Sequence, residues 1–269
     1  MSQNREKDNM KEVKTEESKL SQDVATIRKS MKQTYDSQVN HTLEWRMKAL
    51  ETMQKMLKNN ETEILTALQE DLGRSFLASF AVEVMFLQNE VQYFIKNLKK
   101  WMKPQAVATP ISFFPMRSEI VSVPLSSPGV LVIGPCNYPL LLTLRPAIGA
   151  LAGGNPAVLK PSEFTTSTAK IMEKLIHSHF DKNVLQVIQG EADVVQQLLK
   201  EPWGKVVFTG SERVGKIVAK SCAETLTPCL LELGGKNPAY VCSNISDKDL
   251  RVMAKRLVWG HTLNAGQTW

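Results

Sequence analysis

Cysteine and histidine are scarce in this sequence, and their spacing excludes several kinds of site. The 269 residues contain four of each. The cysteines are Cys136, Cys222, Cys229 and Cys242. None forms a CxxC pair and no signal peptide precedes them, which indicates a reduced intracellular setting with buried thiols. His177 and His179 are two residues apart and would not share a helix face, so we predict no metal site.

The chain also lacks a secretory signal and an uninterrupted apolar run. Residues 1–23 are polar and charged, and we predict that they form a disordered leader. The most apolar stretch, 129–154, is interrupted by Asn137, Arg145 and several prolines, which argues against a transmembrane segment. We therefore predict a cytoplasmic protein. Attachment to a membrane through a C-terminal segment stays open.

No long run of one charge sign is present. The formal net charge is +6, from 33 Lys and Arg against 27 Asp and Glu, and the two signs are interleaved along the chain. Such a pattern is typical of a mixed solvated surface, so we predict no nucleic-acid partner. The apolar content of 43% is enough for a buried core and one or two domains.

The first half of the chain has helical periodicity. From 24 to 103, apolar residues recur every three or four positions in two stripes, which predicts amphipathic helices that pack on the rest of the protein. Asn60 with Glu63 could cap the helix between the stripes. Residues 104–124 are punctuated by proline and rich in β-formers, which predicts an extended excursion or hairpin.

Short apolar runs alternate with helical stretches from 125 to 269. Strands are predicted near 130–133, 157–159, 184–188, 206–208, 230–233 and 239–242, with helices near 140–151, 166–180, 192–199, 212–223 and 247–262. This alternation predicts an α/β fold, a Rossmann-like parallel sheet with helices on both faces. Ligands of such sheets bind beyond the carboxyl ends of the strands, which directs attention to four loops.

Polar side chains follow the first two of these strands. Asn137 offers an amide that could stabilise an oxyanion, although a turn asparagine is the simpler interpretation. Lys160 and Glu163 offer a donor and an acceptor suited to ribose hydroxyls. An ordinary helix start, with Ser162 as N-cap and Glu163 in the first turn, explains the same residues equally well.

The third loop, 208–216, indicates a phosphate site. Glycines at a strand-to-helix turn let backbone amides and a helix N-terminus approach an anion. Gly210 to Lys216 has the spacing of a P-loop, but Ile217 stands where that motif needs Ser or Thr for magnesium. The dinucleotide pattern GxGxxG is not met either.

In the fourth loop, Glu232 precedes Gly234 and Gly235. A carboxylate at a strand end could act as a general base on water. The alternative is a structural carboxylate paired with Lys236.

Five ordered motifs together resemble the aldehyde dehydrogenase superfamily, and class 3 members most closely. They are PCNYP (135–139), LKPSE (159–163), FTGS with VGK (208–216), LELGGKNP (231–238) and NAGQT (264–268). The resemblance implies binding of NAD or NADP and oxidation of an aldehyde to a carboxylic acid through a cysteine thioester. It also implies a homodimer, because the 104–124 excursion resembles the family's oligomerisation hairpin.

The resemblance assigns roles to residues. Asn137 would donate to the oxyanion and Glu232 would activate the hydrolytic water. Lys160 and Glu163 would hold the adenosine ribose. The remaining cofactor-binding positions are Gly210, Ser211, Glu212, Arg213, Val214, Gly215, Leu233 and Gly234.

The sequence departs from the family at its nucleophile. Trp269 follows the NAGQT motif where the family has its catalytic cysteine, and the catalytic domain that comes next in the family is absent. An indole has no thiolate chemistry. Cys136, where the family usually has tryptophan, is a conceivable substitute thiol, but a small buried residue is the simpler interpretation. We predict that this chain is inactive on aldehydes and folds poorly alone. A non-catalytic nucleotide-binding or dimerisation module and, remotely, a P-loop hydrolase are the alternatives.

Overall fold

A layer of helices precedes the sheet. The computed structural model describes residues 24–125 and 129–268, so the predicted leader and Trp269 lie outside the described residues. The helices are α1 (24–36), α2 (Leu43–Asn59), α3 (Glu61–Leu72), α4 (Phe76–Ser79) and α5 (Met85–Trp101), with a π-helical turn (Phe80–Val84) between the last two. Within the described part of the chain, no helix has both the length and the apolar character needed to cross a membrane.

Local signals set the ends of these helices. Thr42 caps α2, since its side chain accepts a hydrogen bond from the amide of Trp45. Helix α3 ends at Gly73, whose φ of 65° is favourable for glycine. Asn60 is the N-cap residue of α3, as predicted, but its side chain makes no capping hydrogen bond. Its side chain turns back to donate to the carbonyl of Met56 and closes the end of α2 instead.

Five parallel strands form the sheet. They are β3 (Val130–Ile133), β4 (Ala157–Lys160), β5 (Leu185–Val187), β6 (Lys205–Gly210) and β7 (Cys229–Leu233), in the order β5-β4-β3-β6-β7. The connecting helices are α6 (Leu141–Ala152), α7 (Thr166–His179), α8 (Ala192–Leu199) and α9 (Glu212–Glu224), and α10 (Asp247–Thr262) follows β7. The order reverses at β3, which places the crevice between the carboxyl ends of β3 and β6.

Helices cover both faces of the sheet. Side chains alternate along a strand, so Val132 and Leu159 join the core formed with α2, α5, α6 and α7. Leu131 and Val158 face the opposite way and pack with α1, α8 and α9. Every residue of β3, β4 and β5 is buried, as expected for parallel strands covered on both faces. The predicted α/β fold is confirmed.

Two segments outside this sheet were predicted as extended, with different outcomes. Strands β1 (Gln105–Val107) and β2 (Ser118–Ile120) pair antiparallel, so a hairpin occupies the 104–124 excursion. The strand predicted at 239–242 is wrong. The sheet ends at β7, and in the described residues 239–242 pair with no strand. An apolar run becomes a strand only beside a ladder partner. The division into domains stays a prediction.

Candidate active site

A cavity of about 1250 Å³ runs along one face of β6 and β7 beside α6, from the amino ends of β3 and β6 to the carboxyl edge of the sheet. Its carboxyl end lies at the crevice between β3 and β6, which are neighbours whose crossovers run in opposite directions. The wall includes six residues predicted from the sequence: Asn137, Gly210, Ser211, Glu232, Leu233 and Gly234. It also includes Cys136, Gln267 and Thr268. The fold therefore brings three of the four predicted loops together.

Asn137 lies against the last described residues of the chain. Its side-chain amide donates to the carbonyl of Gln267 at 2.8 Å, and the amide of Asn264 donates back to the carbonyl of Asn137 at 2.7 Å. The hydroxyl of Tyr138 is 2.6 Å from that of Thr268. These reciprocal contacts place the 264–268 segment directly beside the proposed oxyanion donor.

Lys160 and Glu163 lie at the end of β4, outside the cavity wall. The ammonium of Lys160 is almost fully buried and donates to the Glu163 carboxylate at 2.7 Å. Burial acts to raise the pKa of Glu163, but its hydrogen bonds to Lys160 and to its own backbone amide, together with the Lys160 charge, outweigh burial and lower that pKa. The alternative of a Ser162 N-cap is wrong, because α7 begins one turn later with Thr165 as N-cap.

Residues 211–215 form the start of α9 and not a wide loop. Ser211 is the N-cap, and its hydroxyl accepts from the amide of Val214. Gly215 lies one turn on, where an added Cβ would be 2.6 Å from Leu233, so α9 approaches β7 closely. Glu212 pairs with Lys216 on the exposed side of this turn. Because residues 212–216 are already helical, the P-loop interpretation loses its phosphate-wrapping loop as well as its magnesium ligand.

Two carboxylates missed in the sequence occupy the N-termini of α6 and α7 at this edge. Glu83 accepts from the amides of Leu140 and Leu141 at the start of α6, at 2.9 Å each. Asp71 accepts from the amides of Ser167 and Thr168 at the start of α7. Both carboxylates come from the N-terminal helices, and no motif in the sequence around them predicts that they cap a distant helix. Helix α9 in contrast is capped by its own Ser211, as α10 is by Ser246, and Ser211 lies on the cavity wall, so the N-terminus of α9 is suited to an external anion there.

Glu232 projects from the exposed end of β7. Its backbone is in register with Thr209 of β6, and its side chain is on the cavity wall. No ion pair joins it to Lys236 within the described part of the chain, so the structural alternative is not supported. A carboxylate that faces a cavity without a fixed partner is able to accept a proton. No cluster of His, Cys, Asp and Glu in the described ranges could hold a metal ion.

Comparisons with known proteins identify relatives of this chain. The chain is 41% identical to an aldehyde dehydrogenase of Craterostigma plantagineum over 239 residues, 88% of this chain and 49% of that protein. It is 39% identical to aldehyde dehydrogenase family 3 member H1 of Arabidopsis thaliana, across 88% of this chain and 48% of that one. The chain thus spans about half the length of the curated relatives that it matches.

Solved structures share the fold. The substrate-bound AldH of Staphylococcus aureus aligns over 91% of this chain and 52% of its own, with 36% identity and a TM-score of 0.86. An indole-3-acetaldehyde dehydrogenase of P. syringae in complex with NAD+ and IAA aligns over 91% and 49%, with 26% identity and a TM-score of 0.78. The model of the aldehyde dehydrogenase family matches residues 4–268. This chain therefore belongs to the aldehyde dehydrogenase family.

Proposed function

We propose that the protein is the nucleotide-binding part of an NAD(P)-dependent aldehyde dehydrogenase, and that the whole enzyme oxidises aldehydes to carboxylic acids. The observation that carries the proposal is the convergence of Asn137, Glu232 and the 264–268 segment on one cavity. An amide donor, a carboxylate and the segment that precedes the family's nucleophile are the groups that thioester chemistry needs in one place.

The start of α9 fits the pyrophosphate of a dinucleotide. Backbone amides at a helix N-terminus and the positive end of its dipole favour an anion. Asp71 and Glu83 already fill the corresponding positions on α7 and α6 with negative charge. Gly210 and Gly215 allow close packing at this turn, because an added Cβ would lie 2.7 Å from Phe208 and 2.6 Å from Leu233, respectively. NAD or NADP, when bound, would accept the hydride.

Lys160 and Glu163 fit a ribose edge. The ammonium donates to hydroxyls and the carboxylate accepts from them. Their mutual bond at 2.7 Å holds both side chains in position before a ligand binds. Glu163 is about one-third exposed, so a ligand can reach it. Leu233 and Gly234 would complete the wall on the β7 side. Because Glu163 disfavours a 2′-phosphate and Lys160 favours one, both cofactors are to be tested.

Asn137 and Glu232 would serve the two halves of the reaction. The Asn137 amide would donate to the oxygen that gains charge when a thiolate adds to the aldehyde carbon. Glu232 would take a proton from the water that later releases the carboxylic acid. The Gln267 carbonyl accepts from Asn137 in this structure, so this contact must yield to the substrate oxygen.

The thiol itself is not provided by this sequence. Position 269, next to the segment held by Asn137, is tryptophan. Burial raises the pKa of the Cys222 thiol to about 11, with a smaller contribution from Cys229, so Cys222 is a poor nucleophile. Cys136 is half-buried on the cavity wall. We expect the purified chain to bind NAD(P) and not to oxidise aldehydes.

Binding of NAD+ and NADP+ to the purified chain, measured by calorimetry, tests the cofactor assignment. Lys160→Met removes the donor and keeps the buried volume. We expect a loss of about tenfold or more in affinity, since a hydrogen bond to a charged group contributes roughly 1.5–3 kcal/mol. Lys174→Met is the matched control, because Lys174 forms an exposed surface pair with Glu63. No binding of either cofactor to the wild type would overturn the proposal.

A rate assay tests the catalytic part. Aldehyde-dependent reduction of NAD(P)+ above a heat-killed control would show that the chain as written is active, and its loss in Cys136→Ser would identify the substitute thiol. ATP hydrolysis by the purified chain in the presence of magnesium would instead support the alternative of a P-loop hydrolase.

Dimerisation in the cytoplasm is the second part of the proposal. The β1–β2 hairpin and the residues that follow it expose seven large apolar side chains: Ile111, Phe113, Phe114, Met116, Ile120, Val121 and Val123. Such a patch is typical of an interface, and it favours either a homodimer of the enzyme or a non-catalytic dimerising module. Sedimentation of the wild type and of Phe114→Ser distinguishes a dimer held by this hairpin from a monomer.

A further inference from the structure

Glu83 is fully buried, yet its carboxylate reaches into the loop that carries Asn137. It lies in the π-helical turn Phe80–Val84, a local geometry that often occurs at functional positions. One oxygen, Oε2, accepts from the amides of both Leu140 and Leu141. The other, Oε1, forms an ion pair with Arg74. Burial raises the pKa of Glu83, while the Arg74 charge and the hydrogen bonds from Leu141, Arg74 and Leu140 act in the opposite direction and favour the ionised carboxylate.

Arg74 extends this contact to the neighbouring residue of the loop. Its guanidinium lies 5.3 Å from the centre of the Tyr138 ring, within the range of a cation–π interaction. The Arg74 side chain is only 9% exposed, and its Nε and Nη1 have no hydrogen-bond partner in the described residues. The guanidinium is therefore held by Glu83 on one side and by the Tyr138 ring on the other.

Tyr138 in turn contacts the segment that precedes residue 269. Its hydroxyl is 2.6 Å from Thr268, while the adjacent Asn137 exchanges hydrogen bonds with Gln267 and Asn264. The loop is fixed at its first end by the bond from the Gly134 amide to the Lys160 carbonyl. At the C-terminal end of the loop, the Glu83 carboxylate accepts hydrogen bonds from the backbone amides of Leu140 and Leu141.

We propose that Glu83 and Arg74 are positioning residues that hold the Asn137–Tyr138 loop and, through it, the 264–268 segment in register for oxyanion binding. The proposal rests on the function assigned above to Asn137. It places an essential support of the active site in the N-terminal helices, far away in sequence. Arg74 also serves the cap, because its charge lowers the pKa of the buried Glu83, so the contact of Arg74 with the Tyr138 ring is the observation that distinguishes loop positioning from a simple cap of α6.

Hydrogen exchange of the 269-residue chain, followed by mass spectrometry without cofactor or aldehyde, tests this positioning. Arg74→Met keeps the buried volume and leaves Glu83 on the amides of Leu140 and Leu141. We expect peptides that contain 264–268 to exchange about tenfold faster, while the start of α6 stays protected. Glu83→Gln is expected to increase exchange at both places. Arg74→Lys, which keeps the cation, is expected to restore most of the protection.

Two further variants separate positioning from general stability. Glu90→Gln is the control, because Glu90 pairs with the half-exposed Arg145 on the same layer and should leave 264–268 unchanged. Tyr138→Phe removes only the hydroxyl contact to Thr268 and should free the segment even if the Arg74 variant does not fold. Unchanged exchange at 264–268 in Arg74→Met or in Tyr138→Phe, or a uniform rise across the chain, overturns the proposal. NAD(P) titration of the same variants reports separately on the proposed function.

Discussion

Strands β3 and β7 belong to one sheet, but their surroundings differ sharply. All four residues of β3 are buried, whereas four of the five residues of β7 are exposed. Their following helices differ in the same way. Helix α6 buries seven residues, and α10 buries none against the described part of the chain. The contrast shows that a strand or helix forms from local and ladder interactions, while its burial depends on which neighbours are present.

Helix α10 illustrates the difference most clearly. It has an N-cap, Ser246, and acidic residues in its first turn, so its start is well specified. It also carries apolar residues that face solvent: Leu250, Val252, Leu257, Val258 and Trp259. Exposed apolar faces of this kind are a reason to expect that the isolated chain folds poorly. Poor folding of the isolated chain stays a prediction.

The largest difference between the two regions is expected when one leucine in each is replaced by alanine. Leu159→Ala in β4 removes a fully buried side chain between the sheet and the helices on one of its faces. We expect it to lower the free energy of unfolding by roughly 2–5 kcal/mol. Leu257→Ala in α10 removes a side chain that is 43% exposed, and we expect a change within about 0.5 kcal/mol. Urea denaturation followed by circular dichroism measures both.

The two leucines make each other's control, since the chemical change is identical. Equal destabilisation would contradict the comparison and would show that α10 is packed in solution. A change in the urea m-value of Leu257→Ala alone would point to separate unfolding of the two regions.

Hydrophobic periodicity predicted the helices and strands of both regions, and the order of the five motifs predicted which loops carry candidate site residues. Helices at 192–199 and 247–262 and the strand at 130–133 have the bounds that periodicity indicated. Long-range contacts were not predictable in this way. Nothing near Asp71 or Glu83 in the sequence indicates that each would cap a helix about 60 to 100 residues further on. The strand predicted at 239–242 failed for the same reason, because its apolar run cannot reveal whether a partner strand is there.

One glycine from the buried region and one from the exposed region allow the same comparison for an added Cβ atom. Gly154 has a φ of 79°, and an added Cβ would lie 2.5 Å from the Asn40 carbonyl and 2.8 Å from Arg46. We expect Gly154→Ala to cost about 1–3 kcal/mol, since both the conformation and the space disfavour a side chain. Gly234 has no atom within 4 Å of an added Cβ and no positive φ. Gly234→Ala should therefore leave the unfolding midpoint nearly unchanged, and a shift equal to that of Gly154→Ala would refute the difference.

Serine N-caps give a smaller, matched test. Ser211 caps α9, which buries Val218 and Cys222 in the core, and Ser246 caps α10. Replacement of either serine by alanine should cost its helix about 1 kcal/mol. For Ser211→Ala the loss should appear in global unfolding, because α9 is packed on the sheet. For Ser246→Ala it should appear only as faster hydrogen exchange within α10. Global destabilisation by Ser246→Ala would mean that α10 unfolds together with the core.

The smallest effect is electrostatic and depends on pH. The Glu163 carboxyl has a lowered pKa in the folded chain, below its ordinary value of 4.5. Its ionised form therefore adds stability above about pH 4.5, and this contribution is lost as the pH falls through the lower folded-state pKa. Because the side chain is 36% exposed, solvent screening limits the effect to a few tenths of a kcal/mol.

Glu163→Gln should accordingly be slightly less stable than wild type at pH 7, and the deficit should shrink as the pH falls below about 4.5, in urea titrations across that range. Glu212→Gln, which breaks an exposed pair with Lys216, is the control and should differ little from wild type at pH 7. A Glu163→Gln deficit that does not shrink in acid would mean that the carboxylate contributes through packing or through its hydrogen bonds to neutral groups. The buried Lys160 would then be stabilised by its surroundings and not by the charge beside it.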